Sequence, residues 1–459
     1  MRSSQPSYTQ GSATLISLLV SRSWIAVVCL TGGIVLTTAC TDSTGSLDQR
    51  IGKPDNVSGI FTAVDVGDNT TCALDQSGRA YCWDSNSGGL LGTGETALRV
   101  TRAQLVVNVP SAFHSISVGA DHQCALTIDG RGFCWGGNGG GQLGAGVEGP
   151  PGTVTPIAGG LTFTSISAGD GYTCAITTQQ LAYCWGASGN GQLGAGAAYT
   201  CGHIVFPCSV GTPVPVAVDL HFAQISAGYQ HTCAVTDDGA GYCWGDNTNG
   251  ELGDPSVPLQ CVGLPSGAAC VGDIPNLIPG GLKFAQLAAG AYHTCGITTA
   301  GKAYCWGLVT ANREFNAFAL GNAAYSGAAG SQRGSRVPVQ VEGGLTFREI
   351  AASNGVSCGL TMTNEAVCWG DNNFGNLGVG GTSPDVTTTP LQVRMPTALH
   401  APAIDTDDHA CALTTAGRIW CWGGLNWFGE IGSGPVSVPL FNIYLRGLPE
   451  PVDAPDSPL

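Results

Sequence analysis

One spacing constrains this chain more than any other feature: a cysteine, nine residues, a second cysteine and then tryptophan, written seven times. The pairs are Cys72 and Cys82, Cys124 and Cys134, Cys174 and Cys184, Cys233 and Cys243, Cys295 and Cys305, Cys358 and Cys368, and Cys411 and Cys421; the tryptophans are Trp83, Trp135, Trp185, Trp244, Trp306, Trp369 and Trp422. In the second copy two short apolar runs, 124–127 and 132–135, flank Ile128, Asp129 and Gly130. That is a β-hairpin closed by a three-residue loop with glycine in the left-handed position. The register pairs Thr127 with Arg131, and therefore Cys124 with Cys134, at a non-hydrogen-bonded position where Cα atoms stand roughly 4.5 Å apart, near the short end of disulfide geometry. One disulfide per hairpin is predicted. The turn glycine recurs as Gly78, Gly130, Gly239, Gly301 and Gly417, becomes Asn364 in the sixth copy and is lost at Gln180 in the third.

First cysteines follow one another at steps of 50 to 63 residues. A period near 50 with only short β signals means propeller blades, whose stacked units share one core, so 459 residues read as one large domain rather than two or three. Each unit reads as a Pro-x-x-Val strand (213–216, 338–341), a Phe-x-x-Ile-x-Ala-Gly strand (163–169, 222–228) and then the hairpin, four strands in all. Past the tryptophan comes a polar loop ending in Leu91-Gly92, Leu143-Gly144, Leu193-Gly194, Leu252-Gly253 and Leu377-Gly378. The seventh unit reaches Ile431-Gly432 one residue late, and the fifth loses the spacing. Residues 438–443 repeat the opening strand of a unit, whereas the first unit has only 54–57 before Phe61. The carboxy-terminal strand is therefore expected to complete the first blade and close the ring, removing an exposed edge.

The run of Gly-x-x-His, Ala-Leu, Trp-Gly-x-Asn and Gly-Gln-Leu-Gly, clearest at 141–144, 191–194 and, as Gly-Glu-Leu-Gly, 250–253, resembles the regulator of chromosome condensation repeat family. The resemblance covers about residues 60 to 448 and implies an all-β fold, a seven-bladed β-propeller of four-stranded blades. For nuclear relatives it implies guanine-nucleotide exchange on a small GTPase and chromatin binding; secreted relatives that inhibit β-lactamases imply a binding role instead. A photoreceptor similar to this family uses Gly-Trp-Arg-His-Thr, but the matching stretches here are Gly228-Tyr229-Gln230-His231-Thr232 and Gly290-Ala291-Tyr292-His293-Thr294, without that tryptophan and arginine. Core packing is the expected role of the seven tryptophans. Fold does not specify function on such a scaffold.

At the amino terminus, residues 24–36 form an apolar run shorter than the roughly 20 residues of a membrane span. Leu36-Thr37-Thr38-Ala39-Cys40 resembles the lipobox of bacterial lipoproteins. A signal peptide over 1–39, lipid on Cys40 and a tether over 40–59 are expected, with the propeller over 60–448 and a tail over 449–459; ordinary cleavage near Ala39, giving a secreted chain, and an uncleaved anchor are the alternatives. Removing 1–39 takes away Arg2 and Arg22 and no acid, leaving 15 basic against 32 acidic residues, a charge of −17. A phosphate-binding surface needs clustered Lys and Arg, so no nucleic-acid partner is expected. Of twenty cysteines, Cys29 leaves with the signal and Cys40 carries lipid; the remaining eighteen are the seven hairpin pairs plus Cys201 with Cys208 and Cys261 with Cys270. An even count with none left over points to an oxidising, extracytoplasmic compartment. Isolated cross-strand pairs do not make four-ligand zinc sites, and no metal or cofactor is expected.

His122, His231, His293 and His409 sit two residues before a first cysteine. Thr70, Tyr172 and Val356 fill that slot elsewhere, so a packing or hydrogen-bonding role is expected rather than a catalytic cluster. The irregularities are three insertions: 197–211, with Tyr199, His203 and Phe206 around the Cys201–Cys208 clip; 254–273; and 308–336. All follow the same strand of consecutive blades and should emerge on one face. The reading is a monomeric, non-enzymatic scaffold presenting Tyr199, His203 and Phe206 to a protein or glycan. The alternative is a lyase or hydrolase at the mouth of the central channel.

Overall fold

The structure is a computed structural model that describes residues 60–68, 70–94, 97–146, 152–196, 209–259, 272–309, 317–328, 331–395, 403–406, 409–423 and 450–451. The expected signal and tether with Cys40, the clips Cys201–Cys208 and Cys261–Cys270, and Tyr199, His203 and Phe206 lie outside these residues.

Each hairpin follows from its turn. Thr127 N–H donates to Arg131 O at 3.0 Å, Gly130 N–H donates to Thr127 O at 2.8 Å, and Gly130 has φ +80°. In all seven copies the two cysteines are register partners and are bonded, with Cα atoms 4.1 Å apart, slightly closer than the hairpin spacing alone predicts. Gln180 and Asn364 still take φ +64°. The turn type is kept even where glycine is not.

Each hairpin is the middle of a four-stranded antiparallel sheet, and the described residues form seven such sheets, called blades 1 to 7 in chain order. The inner strands are Phe61–Gly67, Phe113–Val118, Phe163–Ala168, Phe222–Ala227, Phe284–Ala289, Phe347–Ala352 and Ala403–Thr406. Those of blades 1 to 6 line a central channel. The outer strands are Arg99–Leu105, Thr155–Pro156, Ser209–Pro215, Asn276–Leu277, Ser335–Gln340, Val386–Gln392 and Glu450–Pro451. Pro156, Pro213, Pro215, Pro338, Pro390 and Pro451 fall in these edges, where a missing N–H is tolerated and blocks pairing with another chain.

The core lies between blades rather than inside them. Cys124, Leu126, Cys134 and Leu143 of blade 2 pack against Phe163, Ile166 and Trp185 of blade 3. Every seam repeats this plan, including Cys411, Leu413 and Cys421 of blade 7 against Phe61, Val64 and Trp83 of blade 1. All seven tryptophans are fully buried. One sheet offers no partner for its own apolar face, so stability arises from stacking neighbours. A backbone bond marks the seams too: the phenylalanine opening the inner strand of each of blades 1 to 6 donates to the preceding hairpin turn, as in Phe113 to Gly78 O, Phe163 to Gly130 O and Phe284 to Gly239 O, each 2.8 Å. Phe61 donates to Gly417 O at 2.9 Å and closes the ring with the same bond.

Two expectations about chain order are corrected. The proline strand does not open a unit; residues 213–216 and 338–341 follow their hairpins and pair with them as outer strands. Blade 1 accordingly has four strands within Phe61–Leu105, and among the described residues no carboxy-terminal strand joins it. Strand Glu450–Pro451 pairs instead with Trp420 and Cys421 of blade 7, which moves part of the expected 449–459 tail into the propeller. Residues 438–443 lie outside the described residues.

Candidate functional site

The four histidines are spent on joining blades. His122 Nε2 lies 2.7 Å from Thr173 Oγ1, His231 Nε2 2.9 Å from Thr294 Oγ1, His293 Nε2 2.8 Å from Ser357 Oγ and His409 Nε2 2.6 Å from Thr71 Oγ1, each across one seam. Tyr172 fills the slot in blade 3, its hydroxyl accepting from Thr232 Oγ1 at 3.0 Å. Thr173, Thr294 and Ser357 donate their own protons to carbonyls of Gln142, Glu251 and Ala319. Histidine Nε2 must therefore carry the hydrogen at those seams. Burial pushes His231 down to about 3, and His293 and His409 down to about 4, so they stay neutral. The expected hydrogen-bonding role holds. Among the described residues no group of three His, Cys, Asp or Glu is placed to hold a metal ion.

The Leu-Gly loops join blades as well. Trp185 Nε1 donates to Gln142 O at 2.8 Å, Trp244 to Gln192 O at 2.9 Å, Trp306 to Glu251 O at 2.7 Å and Trp369 to Ala319 O at 2.8 Å. A Cβ on Gly144 would stand 2.5 Å from Trp185 Nε1, which explains why glycine follows the leucine. The spacing that the fifth unit loses in sequence is restored in space: Leu320 is buried, and a Cβ on Gly321 would stand 2.7 Å from Trp369 Nε1. Extra residues after Trp306 displace the motif along the chain without displacing it in the seam.

Antiparallel order puts the turns from inner strand to hairpin on the same face as the loops from hairpin to outer strand. Bonds such as Gly137 N–H to Asp121 O (2.7 Å) and Asp246 N–H to Gln230 O (2.8 Å) hold the two sets together. On this face opens the channel, a cavity of about 210 Å³ lined by Asp65, Ser117, Ser167 and Ser226 and bordered by Asp68, Asp170 and Tyr229. Tyr229 of blade 4 donates across the mouth to Asp68 Oδ2 of blade 1 at 3.0 Å. Burial, reinforced by the charges of Asp68 and Asp121, pushes Asp170 up to about 6. Burial also acts to raise Asp121, but hydrogen bonds from His122 and Gln142 outweigh it and hold that carboxyl below its usual range.

The insertions begin on the same face from loops bonded to one another. Gly146 N–H donates to Gly211 O at 2.8 Å, Gly196 N–H to Asp273 O at 3.0 Å and Val309 N–H to Asn249 O at 3.1 Å, linking blades 2, 3, 4 and 5 in turn. The described part of the blade 5 insertion folds into two short 3-10 turns, Ala317–Leu320 and Ala323–Tyr325, beside an open groove of about 580 Å³ lined by Phe318, Tyr325, Gln332 and, from blade 6, Thr388. The exposed large apolar side chains described on blades 4 and 5 are the aliphatic Ile274, Leu277 and Val337. The seam partners Thr173, Thr294 and Ser357 were missed in sequence, although a signal existed: a hydroxyl residue directly before the first cysteine follows, one unit later, each His or Tyr of the preceding slot.

Glu251 replaces the glutamine found at 142 and 192. It is buried, and its two carboxyl oxygens accept from Asn249 N (2.8 Å) and Asn249 Nδ2 (2.6 Å). Burial first, and the charge of Asp246 second, push it up to about 8. An acid with a raised folded pKa binds its proton more tightly when folded, so stability falls as pH rises from the ordinary carboxyl value toward 8. Glu251→Gln, with Asn249 flipping its amide, should remove that slope and stabilise the protein above pH 8 by on the order of 5 kcal/mol, given the rise from 4.5 to about 8 and about 1.4 kcal/mol per pH unit. Denaturant unfolding of both proteins at pH 5 and pH 9 checks this; an equal difference at the two values would show that Glu251 is ionised throughout.

Residues 61–89, 163–192, 222–251 and 284–309, and separately 181–235, match the Regulator of chromosome condensation (RCC1) repeat. RCC1 domain-containing protein RUG3, mitochondrial, of Arabidopsis thaliana is 31% identical over 379 residues, covering 77% of this chain and 75% of the relative. Ultraviolet-B receptor UVR8 of the same plant is 27% identical over 384 residues, 82% of this chain and 67% of that protein. Against the human E3 ubiquitin-protein ligase HERC2 the chain spans 4% of the relative's length. The crystal structure of Prp20p from Saccharomyces cerevisiae superimposes with a TM-score of 0.66 at 18% identity, covering 86% of this chain and 88% of that one. With one buried hairpin disulfide and one interblade tryptophan in every blade, and a relative matched over three quarters of its length, the chain belongs to the regulator of chromosome condensation repeat family.

Proposed function

We propose that this chain is a seven-bladed, monomeric, non-enzymatic scaffold outside the cytoplasm, tethered through lipid on Cys40, that binds a protein partner through the insertion loops of blades 3 to 5. A glycan is the other partner class. The observation that carries the reading is the bonded series of loops from blade 2 to blade 5, because it gathers the three insertions on one face while the regular residues of every blade serve the seams. The fold suits such a role: yeast Prp20p is known for binding Gsp1p and histones, and yeast RCC1 is seen with Kap60 bound. Charge gives the partner a sign. Asp68, Asp121, Asp170, Asp246 and Asp254 lie on this face beside Arg333 and Arg336 of the blade 5 insertion, whereas Arg79, Arg131 and Lys283 pair with acids at the opposite hairpin turns. A cationic partner surface is complementary, and its capture should weaken with salt.

Replacing 197–208 by a loop of the length found in blade 2 should leave sheet content and melting temperature nearly unchanged and weaken capture of the envelope partner. Unfolding would make the insertion structural packing, and undiminished capture would move the binding face elsewhere.

The carboxylates at the channel mouth favour a second reading, an enzyme using Asp170 as a proton donor near its raised pKa. Two neighbours are already engaged, Asp68 by Tyr229 and Asp121 by His122 and Gln142. Asp170→Asn separates the readings: the scaffold keeps its partner, and the enzyme loses turnover.

A further inference from the structure

Five of the seven seams carry a hydroxyl partnered by histidine or tyrosine from the preceding blade. At the seam between blades 6 and 7 the two slots hold Val356 and Ala410, both buried, an apolar pair with nothing left to satisfy. The seam between blades 1 and 2 differs from both kinds. Its slots hold Thr70 and Gln123, each fully buried. Among the described residues, Thr70 Oγ1, Gln123 Oε1, Gln123 Nε2 and the indole nitrogen of Trp135 have no hydrogen-bond partner. At the histidine slots of the other seams the orphan is a single ring Nδ1, as at His231, His293 and His409. Beside these orphans, Asp84, the register partner of Thr70, holds φ +95° where every other blade has glycine.

Buried polar groups without partners and a left-handed non-glycine residue are both destabilising in the closed state, and the first of these is relieved when water reaches the seam. We infer that the seam between blades 1 and 2 is a built-in opening point of the propeller ring. Asp65 and Val118 line the channel on either side of it, joined by Val118 N–H to Asp65 Oδ2 at 2.7 Å, so opening there uncovers the channel from the side.

Native-state hydrogen exchange of the full disulfide-bonded chain, read by NMR or mass spectrometry, tests this. The amides of Phe113 and Val118, which span the seam, should exchange about tenfold faster or more than Phe163 and Ala168, or Phe284 and Ala289, which span other seams from the same positions, the phenylalanines to a turn carbonyl and the alanines to a serine hydroxyl; tenfold corresponds to about 1.4 kcal/mol. Thr70→His with Gln123→Thr installs the common pair and should bring them to the rate of the other seams. Moving the orphan pair, with His231→Thr and Thr294→Gln, should transfer the fast exchange to Phe284 and Ala289. Equal rates at all seams in the unaltered protein overturn the inference, as does a folded repaired protein whose Phe113 and Val118 still exchange fast. If the repaired chain fails to fold, the transplanted pair decides, and unchanged rates at Phe284 and Ala289 overturn it.

Discussion

Dithiothreitol added to the folded protein at neutral pH should leave the seven hairpin disulfides intact, whereas the same reductant in denaturant should release their thiols and yield a chain that does not regain the propeller. All fourteen of these cysteines are completely buried, so reductant reaches them only after a seam opens or the chain unfolds. Closing an eleven-residue loop is worth at most about 3 kcal/mol in the chain-entropy picture, and less for a local hairpin that persists in the unfolded chain. Summed over the blades, that is still large beside a net stability of about 5 to 15 kcal/mol. Thiol titration with circular dichroism measures both halves, and mass mapping should show pairs within blades only. Thiol release in native buffer from any pair other than Cys72 and Cys82, which face the seam between blades 1 and 2, would contradict the burial, and refolding of the reduced chain would show that packing alone holds the ring.

Trp185→Ala should destabilise the protein by about 3 to 5 kcal/mol, the range for truncating a fully buried large aromatic. The ring of Trp185 packs on the blade 2 disulfide, lies 6.0 Å from Phe163 between centroids and donates to Gln142 O, so its loss opens a cavity in one seam and leaves that carbonyl with Thr173 as its donor. Ile128→Ala at an exposed hairpin tip is the control and should stay within about 0.5 kcal/mol. Equilibrium unfolding in urea compares them. A loss below about 1 kcal/mol at Trp185 would mean that the seams are not the main core, against the burial ranges quoted above.

Much of the fold was legible because its signals are local. A disulfide across a three-residue turn needs ten residues and one left-handed position, and both are written in the chain at Cys124 to Cys134 with Gly130. The candidate face was partly legible, since insertions at one point of consecutive repeats must emerge together. The displaced Leu320-Gly321 was not, because its identity rests on meeting Trp369, 48 residues away in the sequence, and not on any spacing from Cys305. The mouth of the channel was equally hidden: Asp68 and Tyr229 meet only because blades 1 and 4 face each other across the ring.

By itself the sequence determined the hairpins, their disulfides, the number of repeats and the hydrogen-bonding role of the histidines, all of which depend on residues at fixed distances within a unit. Tertiary structure alone decided which strand belongs to which sheet, how blade 7 meets blade 1 through Gly417 and Phe61, and that Thr70 and Gln123 are buried without hydrogen-bond partners among the described residues. The physical reason is that a propeller places its core and its polar bonds between units, where partners stand about fifty residues apart and no local periodicity records them.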